Sequence, residues 1–150
     1  MTKPGGDTMQ TRYKRSDYRQ FCPIITRWMD NDAYGHVNNV IYYSWFDTAV
    51  NSFLIANNVL DIGQSPAIGF VIETHCNYLA PVVFPDRITI GLRVARLGNS
   101  SVRYELGVFR EDDEAVSAHG HFVQVYVDRE THRPTPIPDA TRTLLQSIQA

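Results

Sequence analysis

Six residues with polar side chains or special backbone freedom lie within ten positions of one another, a density found nowhere else in the chain. They are Asp30, Asp32, Gly35, His36, Asn38 and Asn39. A carboxylate or an imidazole on a loop can act as a nucleophile or as a general base toward water. Such groups tend to lie on loops that are anchored to rigid elements. Residues 30–39 are therefore the candidate site.

A simpler explanation exists for part of this segment. Asp and Asn before a helix are ordinary capping and turn residues, and glycine suits a positive φ. Capping is the preferred interpretation for Asn38 and Asn39. Asp32 lies several residues before the predicted helix, so its side chain is free to face a cleft near the N–H groups of the first turn. Those groups could also stabilise an oxyanion. Spacing alone leaves a catalytic role and a turn role for Asp32 equally open.

The segment that follows predicts one long helix. Residues 40–58 read VIYYSWFDTAVNSFLIANN and contain no Pro or Gly, the next glycine being Gly63. Asn38 or Asn39 would serve as the N-cap. The polar positions form one narrow stripe, made of Ser44, Asp47, Thr48 and Asn51. A helix with so narrow a polar face is buried on most sides.

Strands that could surround this helix follow it in the chain. Apolar and polar residues alternate over residues 88–94 and 102–108, with Gly98-Asn99-Ser100 between them, which predicts a hairpin. After the acidic turn at residues 111–114, a third strand is predicted to extend to Val127.

Two further strands and a short helix complete the prediction. Residues 70–79 form a plausible strand, and residues 18–28, with Pro23 among them, an edge or irregular strand. Residues 139–150 predict a terminal helix. Because strands and helices do not alternate, the sequence predicts an α+β domain with an antiparallel sheet curled around one helix. An exposed strand edge on such a unit favours pairing into a dimer.

Bulk composition sets limits on function. A chain of 150 residues with 43% hydrophobic residues predicts one domain, which we assign to residues 18–150 after a disordered leader at residues 1–17. The net charge of -2 disfavours nucleic acid. Cys22 and Cys76 have neither metal-ligand spacing nor the pattern of a disulfide framework, which favours the cytoplasm. The absence of any apolar stretch of about 20 residues predicts no membrane span.

The segment from Asp30 to Asn39, with Tyr42 and Phe46 after it, resembles the signature of the 4-hydroxybenzoyl-CoA thioesterase branch of the hotdog superfamily. It is also similar to the matching stretch of plant acyl-ACP thioesterases. Weaker similarity continues through residues 77–81, 86–88 and 133–138. The resemblance therefore covers roughly residues 18–138.

This resemblance implies a hotdog fold, in which a curved antiparallel sheet of about five strands wraps a central helix. It also implies homodimers or homotetramers with active sites at the subunit interface. The carboxylate that matches Asp32 acts as nucleophile or general base, and His36 matches a histidine of the plant enzymes' catalytic set. Tyr34 replaces the asparagine of that set. Coenzyme A would be part of the substrate, with no separate cofactor and no metal.

The same resemblance, taken with the residues, extends the candidate site. The predicted substrate-binding residues are Gly35, Asn39, Tyr42, Gly69, Glu73 and His75. The alternation of a strand places the last two of these on one face, and the family places polar residues of this strand near the neighbouring subunit's site. A main-chain N–H near Gly69 could polarise the substrate carbonyl.

Other polar residues admit simpler interpretations. His119 and His121 share a face, but no further ligand has suitable spacing, so exposed or hydrogen-bonded imidazoles are preferred to a metal site. Four arginines could meet coenzyme A phosphates or lie on a solvated sheet face; they are Arg87, Arg93, Arg96 and Arg103.

The leading hypothesis is an acyl-CoA thioesterase with an apolar or aromatic acyl group as substrate. An acyl-ACP thioesterase is the second enzyme hypothesis. A third is a hotdog module that binds an acyl thioester without hydrolysing it. A hotdog dehydratase is less favoured because His36 has the thioesterase context.

Overall fold

The long apolar run forms helix α1, Ile41–Ala56, in the computed structural model, which describes residues 12–150. Its buried side chains recur at intervals of three and four and include Tyr42, Trp45, Phe46, Ala49, Val50, Phe53 and Leu54. Ser44, Asp47 and Thr48 are exposed, as the polar stripe predicts. The prediction of a largely buried helix is confirmed.

Five strands form one antiparallel sheet. They are β1 (Gln20–Ile25), β2 (Ala67–Tyr78), β3 (Arg87–Leu97), β4 (Ser101–Arg110) and β5 (Ala118–Asp128). The order across the sheet is β1-β3-β4-β5-β2. The predicted hairpin is β3–β4, and the predicted terminal helix is α2, Asp139–Gln146. The curved sheet and the long helix together are a hotdog fold, as expected.

The core lies between α1 and one face of the sheet. Alternate residues of the central strands reach it, because successive side chains of a strand point to opposite faces. On β3 and β4 these include Ile90, Leu92, Val94, Tyr104 and Leu106, all nearly inaccessible to solvent. The residues between them, such as Arg93 and Glu105, face away from α1. We call that side the outer face.

The outer face carries a close contact that the sequence did not indicate. Gly91 and Gly107 are partners across the β3–β4 pair, and the ring of Tyr18 lies over both. A Cβ atom at Gly107 would lie 2.7 Å from two carbons of that ring. The two glycines therefore make room for a buried tyrosine.

The folded part of the chain begins before residue 18. Lys14 bridges to Ala115, and the guanidinium of Arg15 donates hydrogen bonds of 2.8 Å to the carbonyl oxygens of Asp113 and Glu111. The end of the segment predicted as a leader, residues 12–17, is thus attached to the sheet. The rest of that prediction, residues 1–11, lies outside the described residues.

The two edges of the sheet differ. The β1 edge contains Pro23, whose missing N–H is tolerated there. The β2 edge is twice as long, 12 residues against 6, and every residue from Phe70 to His75 is exposed. Its exposed apolar side chains include Ile72, at 64% exposure. Within residues 12–150, neither helix has the length and apolar character needed to cross a membrane.

Candidate active site

The loop before α1 is anchored at both ends. The main-chain N–H of Asn38 donates to the carbonyl of Asp30 at 2.9 Å, and that of Val37 donates to Val82 at 2.8 Å. The buried carboxylate of Asp30 accepts the main-chain N–H and two guanidinium N–H groups of Arg27. Asp30 therefore has a structural role at the base of the loop, since every hydrogen bond of its carboxylate among the described residues comes from Arg27.

Between these anchors the chain makes a tight turn from Asp32 to His36. The N–H of Asp32 donates to the carbonyl of His36 at 2.9 Å, and the N–H of Gly35 donates to the carbonyl of Asp32 at 3.1 Å. Gly35 has a φ of +83°, a conformation that favours glycine. The Asp32 carboxylate also accepts the N–H of Tyr34 at 2.8 Å. The turn thus brings the two predicted catalytic residues together at its base.

The start of α1 differs in detail from the prediction. The N-cap residue is Val40, which has no side chain able to cap. Two residues earlier, the side chain of Asn38 accepts the N–H of Val40 at 3.1 Å, and the main-chain carbonyl of Asn38 accepts the N–H of Ile41 at 2.9 Å. Asn39 makes no capping bond with its side chain among residues 12–150. The predicted N-cap position, Asn38 or Asn39, is therefore wrong: Asn38 stabilises the turn that leads into the helix, and Val40 is the N-cap.

A cleft of about 430 Å³ opens beside this turn. It is lined by Asp32, Tyr34, His36, Val37, Asn39, Tyr42 and Tyr78, and by residues 79–81. Four of the predicted site residues therefore share one cleft: Asp32, His36, Asn39 and Tyr42. Asp32 is half-buried in it and His36 is exposed.

Two tyrosines form the inner wall of the cleft. The rings of Tyr42 and Tyr78 meet edge to face, with centroids 4.9 Å apart. Burial, and to a smaller extent the nearby Cys76, raises the pKa of both phenols. The pKa of Tyr42 rises to about 12, and that of Tyr78 also lies above its ordinary value. Both phenols are therefore neutral at pH 7. Tyr78 was not among the predicted site residues, although it lies in the Asn77–Pro81 stretch that supported the resemblance.

Cys76 lies behind the two tyrosines. Burial is the main cause that raises the pKa of its thiol to about 11. A buried, protonated thiol is a poor nucleophile. Among the described residues, no group of three or more His, Cys, Asp or Glu side chains is arranged to hold a metal ion.

The other predicted residues lie elsewhere in the single chain. Glu73 and His75 share the outer face, as the strand alternation predicts, and Glu73 is hydrogen-bonded to the imidazole of His121. His75 lines a second cavity on that face. Gly69, near the start of β2, packs against the side chain of Gln124. A single copy of the chain therefore does not bring these three residues to the Asp32 cleft.

His119 and His121 are both engaged by neighbouring side chains. His121 is hydrogen-bonded to Glu73, and the ring of His119 meets that of Tyr13 edge to face with centroids 4.9 Å apart. Neither ring is fully exposed. These contacts agree with the preferred interpretation of His121 as a hydrogen-bonded imidazole, whereas His119 is held by an aromatic contact.

The chain belongs to the thioesterase-like superfamily, whose family pattern matches residues 26–145. Its fold superposes with a TM-score of 0.91 on the PA5185 protein of Pseudomonas aeruginosa, at 54% identity over 93% of this chain and 98% of that one. The PA2801 protein of the same species gives a TM-score of 0.77 at 31% identity, over 82% and 95%.

A thioesterase from Thermus thermophilus, in complex with coenzyme A and Zn, gives a TM-score of 0.70 at 29% identity, over 86% of this chain and 93% of that one. The expected family is therefore confirmed, and the protein is a thioester hydrolase.

Proposed function

We propose that the protein hydrolyses acyl-CoA thioesters in the Asp32 cleft, with Asp32 as the catalytic carboxylate. The observation that carries this proposal is the position of Asp32 at the base of a tight turn, facing a cleft walled by Tyr42 and Tyr78. A thioester carbonyl is already reactive, and a thiolate is a good leaving group at neutral pH, so one well-placed carboxylate and oxyanion donors suffice.

The reaction can follow either of two routes from this carboxylate. As a general base, Asp32 takes a proton from water, and the hydroxide oxygen bonds to the carbonyl carbon. As a nucleophile, a carboxylate oxygen bonds to that carbon and forms an anhydride that water then hydrolyses. In both routes the C–S bond breaks, the sulfur leaves as the thiolate of coenzyme A, and the acyl group leaves as the free acid.

The start of α1 supplies candidate oxyanion donors. The N–H of Asn39 makes no hydrogen bond among residues 12–150, and Asn39 lines the same cleft. It also lies close to the helix N-terminus, where the partial positive charge favours a developing oxyanion. The neutral hydroxyl of Tyr42 is a second candidate. His36, exposed at the base of the same turn, is suited to protonate the departing thiolate.

Coenzyme A is proposed as the carrier because the related thioesterase from Thermus thermophilus was solved with coenzyme A bound. In this proposal coenzyme A belongs to the substrate, and hydrolysis needs no separate cofactor. The tyrosine-lined wall of the cleft favours an apolar or aromatic acyl group.

A homodimer would complete the site. The exposed β2 edge is a long row of unpaired main-chain groups flanked by exposed apolar side chains, which favours pairing with a second copy. Antiparallel pairing about the midpoint of Ala67–Tyr78 would set Gly69 of one copy opposite about position 76 of the other. Gly69 would then lie near the partner's Tyr78 and the partner's Asp32 cleft, as its predicted substrate-binding role requires.

The test measures thiol release from a panel of acyl-CoA substrates by Asp32→Asn and Asp32→Ala. Both variants should lose activity by about 100-fold or more. Asp112→Asn, which removes an exposed carboxylate far along the sequence, is the matched control and should retain activity. Full activity in both Asp32 variants would refute the proposal.

Two further measurements separate the alternatives. The same acyl group offered on an acyl carrier protein distinguishes the two carriers by kcat/KM. A single turnover in H₂¹⁸O identifies the nucleophilic route when water opens the anhydride at the Asp32 carbonyl carbon, because the first molecule of acid then contains an enzyme oxygen and the label enters Asp32, whereas the general-base route places the water oxygen in the acid.

A further inference from the structure

A second cavity, of about 260 Å³, lies on the outer face of the sheet, on the side away from α1. The lining residues with a carboxylate, guanidinium or imidazole side chain are His75, Arg93, Arg103, Glu105, His119 and His121. Tyr13 and Tyr18 form an aromatic wall beside them. No part of the proposed hydrolysis uses this cavity.

Some of its charges are already balanced. The guanidinium of Arg93 donates to the carboxylate of Glu105 at 2.8 Å and to the main-chain oxygen of Asp17 at 2.9 Å. The imidazole of His121 is bonded to the carboxylate of Glu73. Arg93 and Glu105 thus form one neutral pair in the wall, and His121 has its own acidic partner.

The guanidinium of Arg103 is different. Within residues 12–150 it makes no hydrogen bond and no ion pair, although the residue is only half-exposed. Its partner across the β3–β4 pair is Arg96, so two positive charges face each other. Like charges in this position are destabilising unless an anion lies nearby. Arg103 therefore brings an unbalanced positive charge to the cavity.

The remaining lining groups suit the body of an organic anion. The rings of His75 and His121 are stacked, with centroids 5.3 Å apart and an interplanar angle of 17°. His119 makes no hydrogen bond among the described residues and is held only by the ring of Tyr13. Flat rings offer a surface for a planar group, and an imidazole can donate to an oxyanion.

We propose that this cavity binds a small organic anion, whose carboxylate or phosphate meets Arg103 and whose body lies along the histidine and tyrosine rings. Guanidinium groups recognise both kinds of oxyanion through paired N–H donors. The site is separate from the Asp32 cleft, and the proposal does not rest on the proposed hydrolysis.

The five histidines of the chain allow a direct test. His75, His119 and His121 line the cavity, His36 lines the Asp32 cleft, and His132 belongs to neither. Benzoate and phenyl phosphate, added separately at pH 6.5, should shift the imidazole C2–H NMR signals of the three cavity histidines in a saturable manner. Comparing the two ligands shows whether a carboxylate or a phosphate is preferred.

Burial, followed by the neighbouring His75, lowers the pKa of His119. A bound anion stabilises the imidazolium, so the titration of His119 should move to higher pH when the ligand is present. The charged or titratable groups that line the cavity together with this ring are Tyr13, Tyr18, His75, Arg93, Arg103, Glu105 and His121, and the carboxylate of Glu73 is bonded to His121.

Arg103→Gln should weaken binding by at least about tenfold. Arg96→Gln removes the same charge from the opposite strand but not from the cavity lining, and should weaken binding by less than about twofold. Arg103→Lys retains the charge, so its loss of affinity for the anion should lie between those of the other two variants. Absence of saturable shifts, shifts confined to His36, or equal losses in the Arg96 and Arg103 variants would each overturn the proposal.

Discussion

The hydroxyl of Tyr78 donates a hydrogen bond of 2.8 Å to the main-chain oxygen of Asn39. This bond joins the end of β2 to the residues just before α1. It also fixes one wall of the Asp32 cleft relative to the helix start, where the proposed oxyanion donor lies. The position of the donor therefore depends on a side chain from a different element.

Tyr78→Phe should lower kcat/KM by about tenfold, because the Asn39 region loses the bond that positions it. The free energy of unfolding should change by only about 1 kcal/mol, since the hydrogen bond is partly exposed to solvent. Tyr34→Phe is the matched control: this tyrosine lines the same cleft at 88% exposure. Equal losses in the two variants would argue against a positioning role for Tyr78.

Asp30→Asn should destabilise the protein by about 1–3 kcal/mol in urea unfolding, because a buried carboxylate loses its charge-assisted bonds to Arg27. Asp32→Asn should leave stability nearly unchanged. The two variants would then show that Asp30 contributes to stability and that Asp32 contributes to turnover. A stable Asp30 variant would contradict the structural role assigned to it.

The lowered pKa of the Asp86 carboxyl predicts that the stability of the fold depends on pH in the acid range. Burial acts to raise the pKa of this carboxyl, but hydrogen bonds from Arg110 at 2.7 Å and from the N–H of Val83 at 3.0 Å outweigh burial and lower it. A group with a lowered pKa in the folded state stabilises the fold above its unfolded pKa of about 4, and this stabilisation is lost as the pH falls through the folded value.

Asp86→Asn should therefore be less stable than the wild type at pH 7. The difference in unfolding free energy should narrow as the pH is lowered below about 4. Urea denaturation at several pH values between about 3 and 7 measures it, with Asp112→Asn as a surface control. A difference that stays constant over this range would contradict the assignment.

The contact of Tyr18 with Gly107 predicts that substitution by alanine destabilises the fold more at Gly107 than at Gly63. Gly107→Ala would place a methyl group 2.7 Å from ring carbons of Tyr18 and should destabilise the fold by about 1–3 kcal/mol. Gly63→Ala meets only one side-chain atom, at 3.8 Å, and should change stability by less than about 1 kcal/mol. Thermal unfolding of the two variants measures the contrast.

The proposed dimer predicts that Ile72→Lys, on the β2 edge, yields a smaller species in light scattering after size exclusion. Its hydrolytic activity should fall as well, because Gly69 of the partner would be lost from the site. Ile25→Lys places the same charge on the β1 edge, where the isoleucine is 87% exposed, and should preserve the β2-paired dimer. An unchanged mass for the Ile72 variant would count against pairing through β2.

The periodic parts of the fold were predictable from the sequence. Helix α1 and the β3–β4 hairpin have side chains that alternate with the period of their own element, and that signal is local. The Asp32 turn was found for a similar reason, since its polar residues are close together in the sequence. Contacts between distant residues left no such signal. Tyr18 packs on Gly91 and Gly107, which lie far along the chain from it.

The predicted site residues divide in the same way, into those that are neighbours in the sequence and those whose position depends on tertiary structure. Asp32, His36, Asn39 and Tyr42 share a cleft because the turn and the helix start are contiguous. Glu73 and His75 were assigned from the strand alternation and the resemblance, and only tertiary structure shows which face of the sheet they occupy. The N-cap was predicted at Asn38 or Asn39 because asparagine is a good capping residue, whereas the backbone geometry makes Val40 the N-cap.

The anchoring of the Asp32 turn determines which of its positions tolerate substitution. Main-chain hydrogen bonds at Asp30, Val37 and Asn38 attach the turn to the rest of the protein. In contrast, Ala33, Tyr34 and His36 are exposed. His36 is a proposed catalytic residue, so the positions that can be varied without disturbing the core or the chemistry are Ala33 and Tyr34. Libraries randomised there would explore new acyl preferences while the folded scaffold remains the same, so the turn is a natural starting point for redesign.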